Sequence, residues 1–180
     1  MLPKLIITDI DGVWTDGSMY YDQTGNEWKR FHTYDSAGVL FAHVQNIPVA
    51  IITGEDTDIV ARRAKKVKVD YLFQGIKDKV GVVENLIKEL GINFEDCAFI
   101  GDDINDVLLM RKVGWSAATN NAPEYIQKEA HYITKKKGGE GAFREFVEHI
   151  LETNGVLELA LEEVINSNGK SNFLLLLLCL

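Results

Sequence analysis

Short apolar runs alternate along the chain with stretches whose apolar residues recur at helical spacing. The runs are Leu5–Ile10, Pro48–Thr53, Tyr71–Phe73 and Ala98–Ile100, with a weaker one at Trp115–Ala118. Continuous apolar character of this kind marks strands covered on both faces of a parallel sheet. Between them, Val83, Leu86, Ile87 and Leu90 follow i, i+3, i+4, i+7 spacing and stop at Gly91, which predicts a helix with a C-terminal glycine. Helices are also predicted over Ile59–Val67, Ile104–Val113, Ala142–Leu151 and Val156–Ile165, and over Ser36–Val44 with Asp35 placed to cap it. The alternation predicts an α/β fold of βαβ units around a parallel sheet.

One insertion interrupts the pattern. Met19–Gln23 and Glu27–Thr33 flank Thr24-Gly25-Asn26, turn chemistry that predicts a β-hairpin projecting from the sheet. It is too short to form a separate lid domain. Residues 1–166 then make one domain, and 167–180 a C-terminal tail. The tail ends in Phe173–Leu180, eight apolar residues, far fewer than the roughly twenty that cross a bilayer. No membrane partner is expected.

Composition narrows the function. Apolar residues at 46% and charged residues at 26% describe a globular chain. A net charge of −8 argues against nucleic acid as a partner, because a phosphate backbone needs a basic surface. It leaves room for a small anionic substrate in a locally positive pocket. Cys97 and Cys179 make neither metal-ligand spacing nor a disulfide framework. Met1 leads directly into the first strand-like run without the features of a signal peptide, so a cytoplasmic location is the expectation.

The chemistry concentrates where strands end. In Leu5-Ile-Ile-Thr-Asp9-Ile-Asp11-Gly12, two carboxylates sit two apart at the end of an apolar strand. Ligands of open parallel sheets bind outside those strand ends, and buried acids need a partner such as Mg2+, a hard cation that prefers oxygen ligands. A solvated Asp-Gly turn is the plain alternative. Phe99-Ile-Gly101-Asp102-Asp103-Ile-Asn105-Asp106 repeats the arrangement later, so Asp9, Asp11 and Asp102 would surround one cation if the strands share a sheet. Thr53-Gly54 closes another strand with a hydroxyl and amides suited to phosphate oxygens. Lys79 follows a further strand and begins a helix, with Lys77 as a surface rival.

Taken in order, Asp-x-Asp-Gly, Thr-Gly, Lys and Gly-Asp-Asp-x-x-Asp resemble the haloacid-dehalogenase-like phosphatases over Asp9–Asp106. That resemblance implies a Rossmann-like sheet and a phosphoaspartyl mechanism. Asp9 would be the nucleophile and Asp11 the acid that protonates the leaving alcohol and later activates water. Thr53 and Lys79 would hold the phosphoryl oxygens. Asp9, the main-chain carbonyl of Asp11, and Asp102 would bind magnesium, with Asp103 and Asp106 supporting them.

The missing cap, Thr15-Asp16-Gly17, and Gly138-Gly-Glu-Gly-Ala-Phe-Arg-Glu145 resemble a capless subgroup over Leu5–Leu151. Its members dephosphorylate 2-keto-3-deoxy sugar acids and assemble as homotetramers whose subunits cover each other's sites. In its octulosonate enzymes the residue after Thr-Gly is basic. Here it is Glu55, which with Arg63 and Lys66 looks more like the branch acting on 2-keto-3-deoxynononate 9-phosphate. The eight-carbon 3-deoxy-D-manno-octulosonate 8-phosphate is the alternative. Thr33, Asp35 and Ser36 lie where the subgroup meets substrate, as does Gly54 beside Thr53. Arg63 and Lys66 read equally as a solvated helix face, and Asp35 and Ser36 as helix caps. Lys135–Lys137 departs from the usual His- or Arg-containing approach to the diglycine. A phospho-acceptor signalling domain is the rival from another class, although such domains place the acidic pair and the acceptor in a different strand order.

Overall fold

A computed structural model describes residues 1–169. Six parallel strands form one sheet: β1 (Leu5–Thr8), β4 (Val49–Ile52), β5 (Tyr71–Phe73), β6 (Cys97–Gly101), β7 (Trp115–Ala118) and β8 (Tyr132–Ile133). Their spatial order is β5-β4-β1-β6-β7-β8, with the first strand of the chain at the centre. The predicted strands stand within a residue or two at their ends, and β8 was not foreseen. Its two residues are too few to register as an apolar run.

Alternate residues of each strand face opposite layers. Ile6, Val49, Ile51, Ala98 and Ile100 point to one core, shared with α1 (Asp35–Val44), α2 (Asp58–Val67), α6 (Ala142–Thr153) and α7 (Leu157–Gly169). Leu5, Ile7, Ala50, Ile52 and Phe99 point to the other, against α3 (Lys79–Leu90), α4 (Val107–Met110) and α5 (Glu124–Gln127). Both faces are covered, which is why these strands read as uninterrupted apolar runs. The helix α7 continues to Gly169, past the expected domain end at 166, and the apolar segment Phe173–Leu180 lies outside the described residues. No helix among the described residues is long and apolar enough to cross a membrane.

The insertion is a hairpin of β2 (Tyr20–Tyr21) paired antiparallel with β3 (Glu27–Trp28). Its turn is held by Asp22, whose carboxylate accepts from the Thr24 and Asn26 amides and from the Asn26 side chain. Met19, Tyr20, Tyr21 and Trp28 leave a largely apolar surface open.

Two expectations change on folding. Ile104–Val113 is not one helix: a 3-10 turn at Ile104–Asp106 precedes the short α4. The cause is Asp106, whose side chain turns back to accept the amides of Asp102 and Asp103 and tightens the chain there. Asp35 does not cap its own helix. Tyr34 holds that position, and the Asp35 carboxylate accepts the amide of Arg144 at 3.2 Å instead. The start of α6 has only Gly141 in the N-cap place, so an acid from α1 satisfies one of its orphan donors.

Asp35 is fully buried, and that burial pushes its carboxyl up to about 7 against the pull of the Arg144 amide and of Arg63. The folded protein therefore holds a proton there that the unfolded chain releases near the ordinary aspartate value of 3.8. The stabilisation is complete below that value and is lost as pH rises through about 7. Asp35→Asn keeps an acceptor without a charge to bury. Denaturant titrations should show it more stable than the parent at pH 8, by about 2–4 kcal/mol, with the difference shrinking toward pH 4.

Candidate active site

Pairing fixes which residues meet. β1 lies between β4 and β6, with Thr8 opposite Ile51 on one side and Ile100 on the other. The residues just past these strand ends, Asp9, Thr53 and Asp102, therefore reach one edge of the sheet. β5 lies beyond β4, and the segment after it delivers Lys79 as the first residue of α3. All four expected motifs converge.

Three of them line a pocket of about 290 Å³ formed by Asp9, Asp11, Gly12, Thr53, Gly54, Glu55, Asp102, Asp103 and Asn105, with Gly17 and Met19 from the approach to the hairpin. Beneath it, Lys79 is buried with its ammonium 2.8 Å from Asp9 and 2.6 Å from Asp106. Burial pulls that ammonium down, but the two carboxylates outweigh it and hold it above the ordinary lysine range. Asp9 also accepts the amide of Ile10 at 2.7 Å, which fixes its rotamer. Burial and then the charge of Asp106 raise Asp9 to about 7 despite Lys79. Burial and then the charges of Asp9, Asp106 and Asp103 raise Asp102 to about 8.

Crowding of this kind fits a divalent cation. Oxygens of Asp9, Asp102 and Asp106 lie within 4.8 Å of one another. Asp106 has both oxygens engaged, one by Lys79 and the other by the amides of Asp102 and Asp103. Asp102 is different: its Oδ1 is buried without a hydrogen-bond partner. A carboxylate pair with an orphaned oxygen is what a hard cation satisfies, and its charge would return both acids to the ionised form. Asp9 and Asp102 are the side chains that fit, with Asp106 positioning them. The carboxylate of Asp11 is outside this group, which leaves it only the expected main-chain contribution.

The Asp11 side chain points to the hairpin. Lys29 donates to both of its oxygens at 2.8 Å, and Thr15 donates to Oδ1 at 3.2 Å. Sequence reasoning missed Lys29, because a lysine just after a two-residue strand reads as surface. The catalytic loop is closed from above by Gly138, where an added Cβ would stand 1.9 Å from the Gly12 carbonyl oxygen. The amides of Gly138 and Gly139 bind Asn121 and the Val13 carbonyl. Glu145 fixes the approach to that turn through the amides of Lys135 and Lys136.

The expected substrate residues divide. Gly54 and Glu55 line the pocket, whereas Thr33, Asp35, Ser36, Arg63 and Lys66 do not. Asp35, the first residue of α1, is buried against the start of α6 and presents no exposed surface to a ligand. Arg63 donates to Ser36 at 2.9 Å and to the His32 carbonyl at 3.2 Å, and its guanidinium lies over Trp14 and Phe31. It ties α2 to the start of α1. Thr33 and Lys66 are exposed.

The haloacid dehalogenase-like hydrolase family matches residues 58–146. The 3-deoxy-D-manno-octulosonate 8-phosphate phosphatase of Haemophilus influenzae is 36% identical over 152 residues, 84% of each chain. The chain belongs to the haloacid dehalogenase-like hydrolases. The enzyme of the same name from Escherichia coli is 37% identical over 157 residues, 87% of this chain and 84% of that one. The same phosphatase from Moraxella catarrhalis, solved with a magnesium ion, a phosphate ion and a KDO molecule, superposes with a TM-score of 0.86. It is 36% identical and covers 90% of this chain and 93% of that one. The protein is thus a haloacid dehalogenase-like phosphatase, and the signalling alternative falls away.

Gly12 offers a test of the cation site. It has φ of +83°, and an added Cβ would lie 1.9 Å from Asp102 Oδ2. The acid and the loop can approach this closely only because no side chain intervenes. Magnesium should raise the unfolding midpoint of the parent protein measurably, and Gly12→Ala should abolish that rise, read by thermal denaturation with and without the ion.

Proposed function

We propose that the protein is a magnesium-dependent phosphatase of 3-deoxy-D-manno-octulosonate 8-phosphate that works through a phosphoaspartyl intermediate on Asp9. The observation that carries the mechanism is the meeting of Asp9, Asp11, Thr53, Lys79 and Asp102 at one sheet edge. The substrate reading rests on relatives named for the eight-carbon ester. They favour it over the nine-carbon nononate that Glu55 suggested from sequence. One observation still speaks for the nononate: Glu55 does line the pocket.

Bound at Asp9 and Asp102, magnesium supplies positive charge that offsets the carboxylates and the transferring oxygens. Asp9 attacks phosphorus as the ester P–O bond breaks, and Asp11 gives its proton to the departing sugar oxygen. Asp11 then takes a proton from water as that water attacks phosphorus, the Asp9–phosphorus bond breaks and inorganic phosphate leaves. Lys79 and the Thr53 hydroxyl neutralise and orient the phosphoryl oxygens. Splitting the reaction through a covalent intermediate lowers a barrier that is among the highest known for uncatalysed hydrolysis.

Among the described residues no cap covers the pocket, so water exclusion and recognition of the sugar need a neighbour. A homotetramer supplies one. Lys66, outside the pocket of its own chain, would meet a sugar carboxylate only across a subunit boundary. The exposed apolar hairpin beside the pocket supports the assembly. Sedimentation should give four times the monomer mass of 20.2 kDa, and Trp28→Glu should shift it to smaller species.

Steady-state phosphate release decides the chemistry. Turnover of the eight-carbon ester should exceed that of the nine-carbon ester and far exceed that of glucose 6-phosphate, and a chelator should abolish it. Asp9→Asn should remove release entirely while leaving the fold intact by circular dichroism. Equal rates on all three esters would overturn the substrate reading alone, and an active Asp9→Asn would overturn the mechanism.

A further inference from the structure

Lys29 is the one fully buried lysine side chain among the described ion pairs that the mechanism above leaves unused: its side chain has 0% exposure and its ammonium lies 2.8 Å from both Asp11 oxygens. Glu27 flanks it at 3.6 Å and Met19 Sδ at 3.8 Å. An ammonium is rarely withdrawn from water on a small hairpin without a task, because its desolvation must be offset by close carboxylates. Here both partner oxygens belong to the residue read above as the acid. Its tethers come from two directions, Thr15 in the catalytic loop and Lys29 in the hairpin.

We propose that Lys29 is a positioning residue that holds the Asp11 carboxyl where it can hand its proton to the leaving oxygen. The proposal rests on the reading of Asp11 as acid. In the acid form one Asp11 oxygen carries the proton toward the leaving oxygen while Lys29 donates to the other. As the ester P–O bond breaks, that proton passes to the sugar oxygen. Lys29, which then holds the carboxylate by both oxygens, exchanges none. Its contribution is the fixed direction of the carboxyl, since proton transfer demands a donor within hydrogen-bond reach of the acceptor. Without Lys29, Thr15 is the remaining side-chain tether, and the hairpin no longer sets the acid's rotamer.

Such a role affects only esters that need an acid. An alkyl ester departs as a strongly basic alkoxide, whereas p-nitrophenyl phosphate departs as a stable phenolate. A merely structural role would slow both alike. First-turnover phosphoryl transfer from octulosonate 8-phosphate and from p-nitrophenyl phosphate is measured in magnesium-loaded enzyme for Lys29→Met, Lys29→Arg and Asp11→Asn. Asp11→Asn should lose about 10²–10⁴-fold on the alkyl ester and little on the nitrophenyl ester. Lys29→Met should lose about tenfold or more on the alkyl ester and less than about threefold on the other, with Lys29→Arg recovering most of the rate. Should Lys29→Met fail to fold, Lys29→Gln, whose side chain is one bond shorter and carries no charge to hold the carboxylate, should show the same split in weaker form. Equal losses on both esters, or none on the alkyl ester, would overturn the proposal while a split in Asp11→Asn leaves the acid intact. No split in Asp11→Asn would remove the acid reading and this proposal together.

Discussion

An ammonium taken out of water persists only where carboxylates close around it, and Lys79 is held this way by Asp9 and Asp106. The three residues come from the end of β1, the turn after β6 and the start of α3, so one buried charge cluster ties together segments that the backbone alone would leave independent. Asp106 extends the effect, since its second oxygen fixes the amides of Asp102 and Asp103. Removing one member of such a cluster typically costs about 3–5 kcal/mol, because a charge is left buried without its partner. The same crowding raises the carboxyls of Asp9 and Asp102 above the ordinary carboxylate range, so binding of a cation there would be coupled to loss of protons.

Function is distributed by what each carboxylate has left to offer. Asp106 is saturated by donors and sets geometry. Asp102 keeps a buried oxygen without a donor, and Asp9 faces the pocket beside it. Asp11 is turned away from both, toward a lysine and a threonine. Four acids within a few residues of two strand ends thus stand in different surroundings, which leave each a different capacity to bind or to position, although their chemistry is identical.

Legibility from sequence followed the range of the interactions. The central strands were visible because burial on both faces leaves apolar runs. The amphipathic helix before Gly91 was visible because its period is local. Asp9, Asp102, Thr53 and Lys79 were legible because strand ends in a parallel sheet converge whatever lies between them. Asp35 was misplaced because its partner, the amide of Arg144, is more than a hundred residues away in sequence. Arg63 reads from sequence as either a substrate contact or a solvated helix face, because nothing local reveals His32 and Ser36 beside it. The helix over Ile104–Val113 was drawn too long because apolar spacing says nothing of a side chain that folds back on its own backbone.

The strand order has a consequence for how the chain acquires activity. The strand that leads into Asp9 is made before the other strands of the sheet, yet it occupies the middle of that sheet, with Leu5 registered against Cys97. Chains dominated by such distant pairings fold slowly, because loop closure precedes the reward of contact. During synthesis, β1 therefore waits for β6, and the catalytic loop waits longer still for the diglycine that lies over it. Until the residues up to that diglycine have emerged from the ribosome, the sheet edge that gathers these acids lacks part of its enclosure.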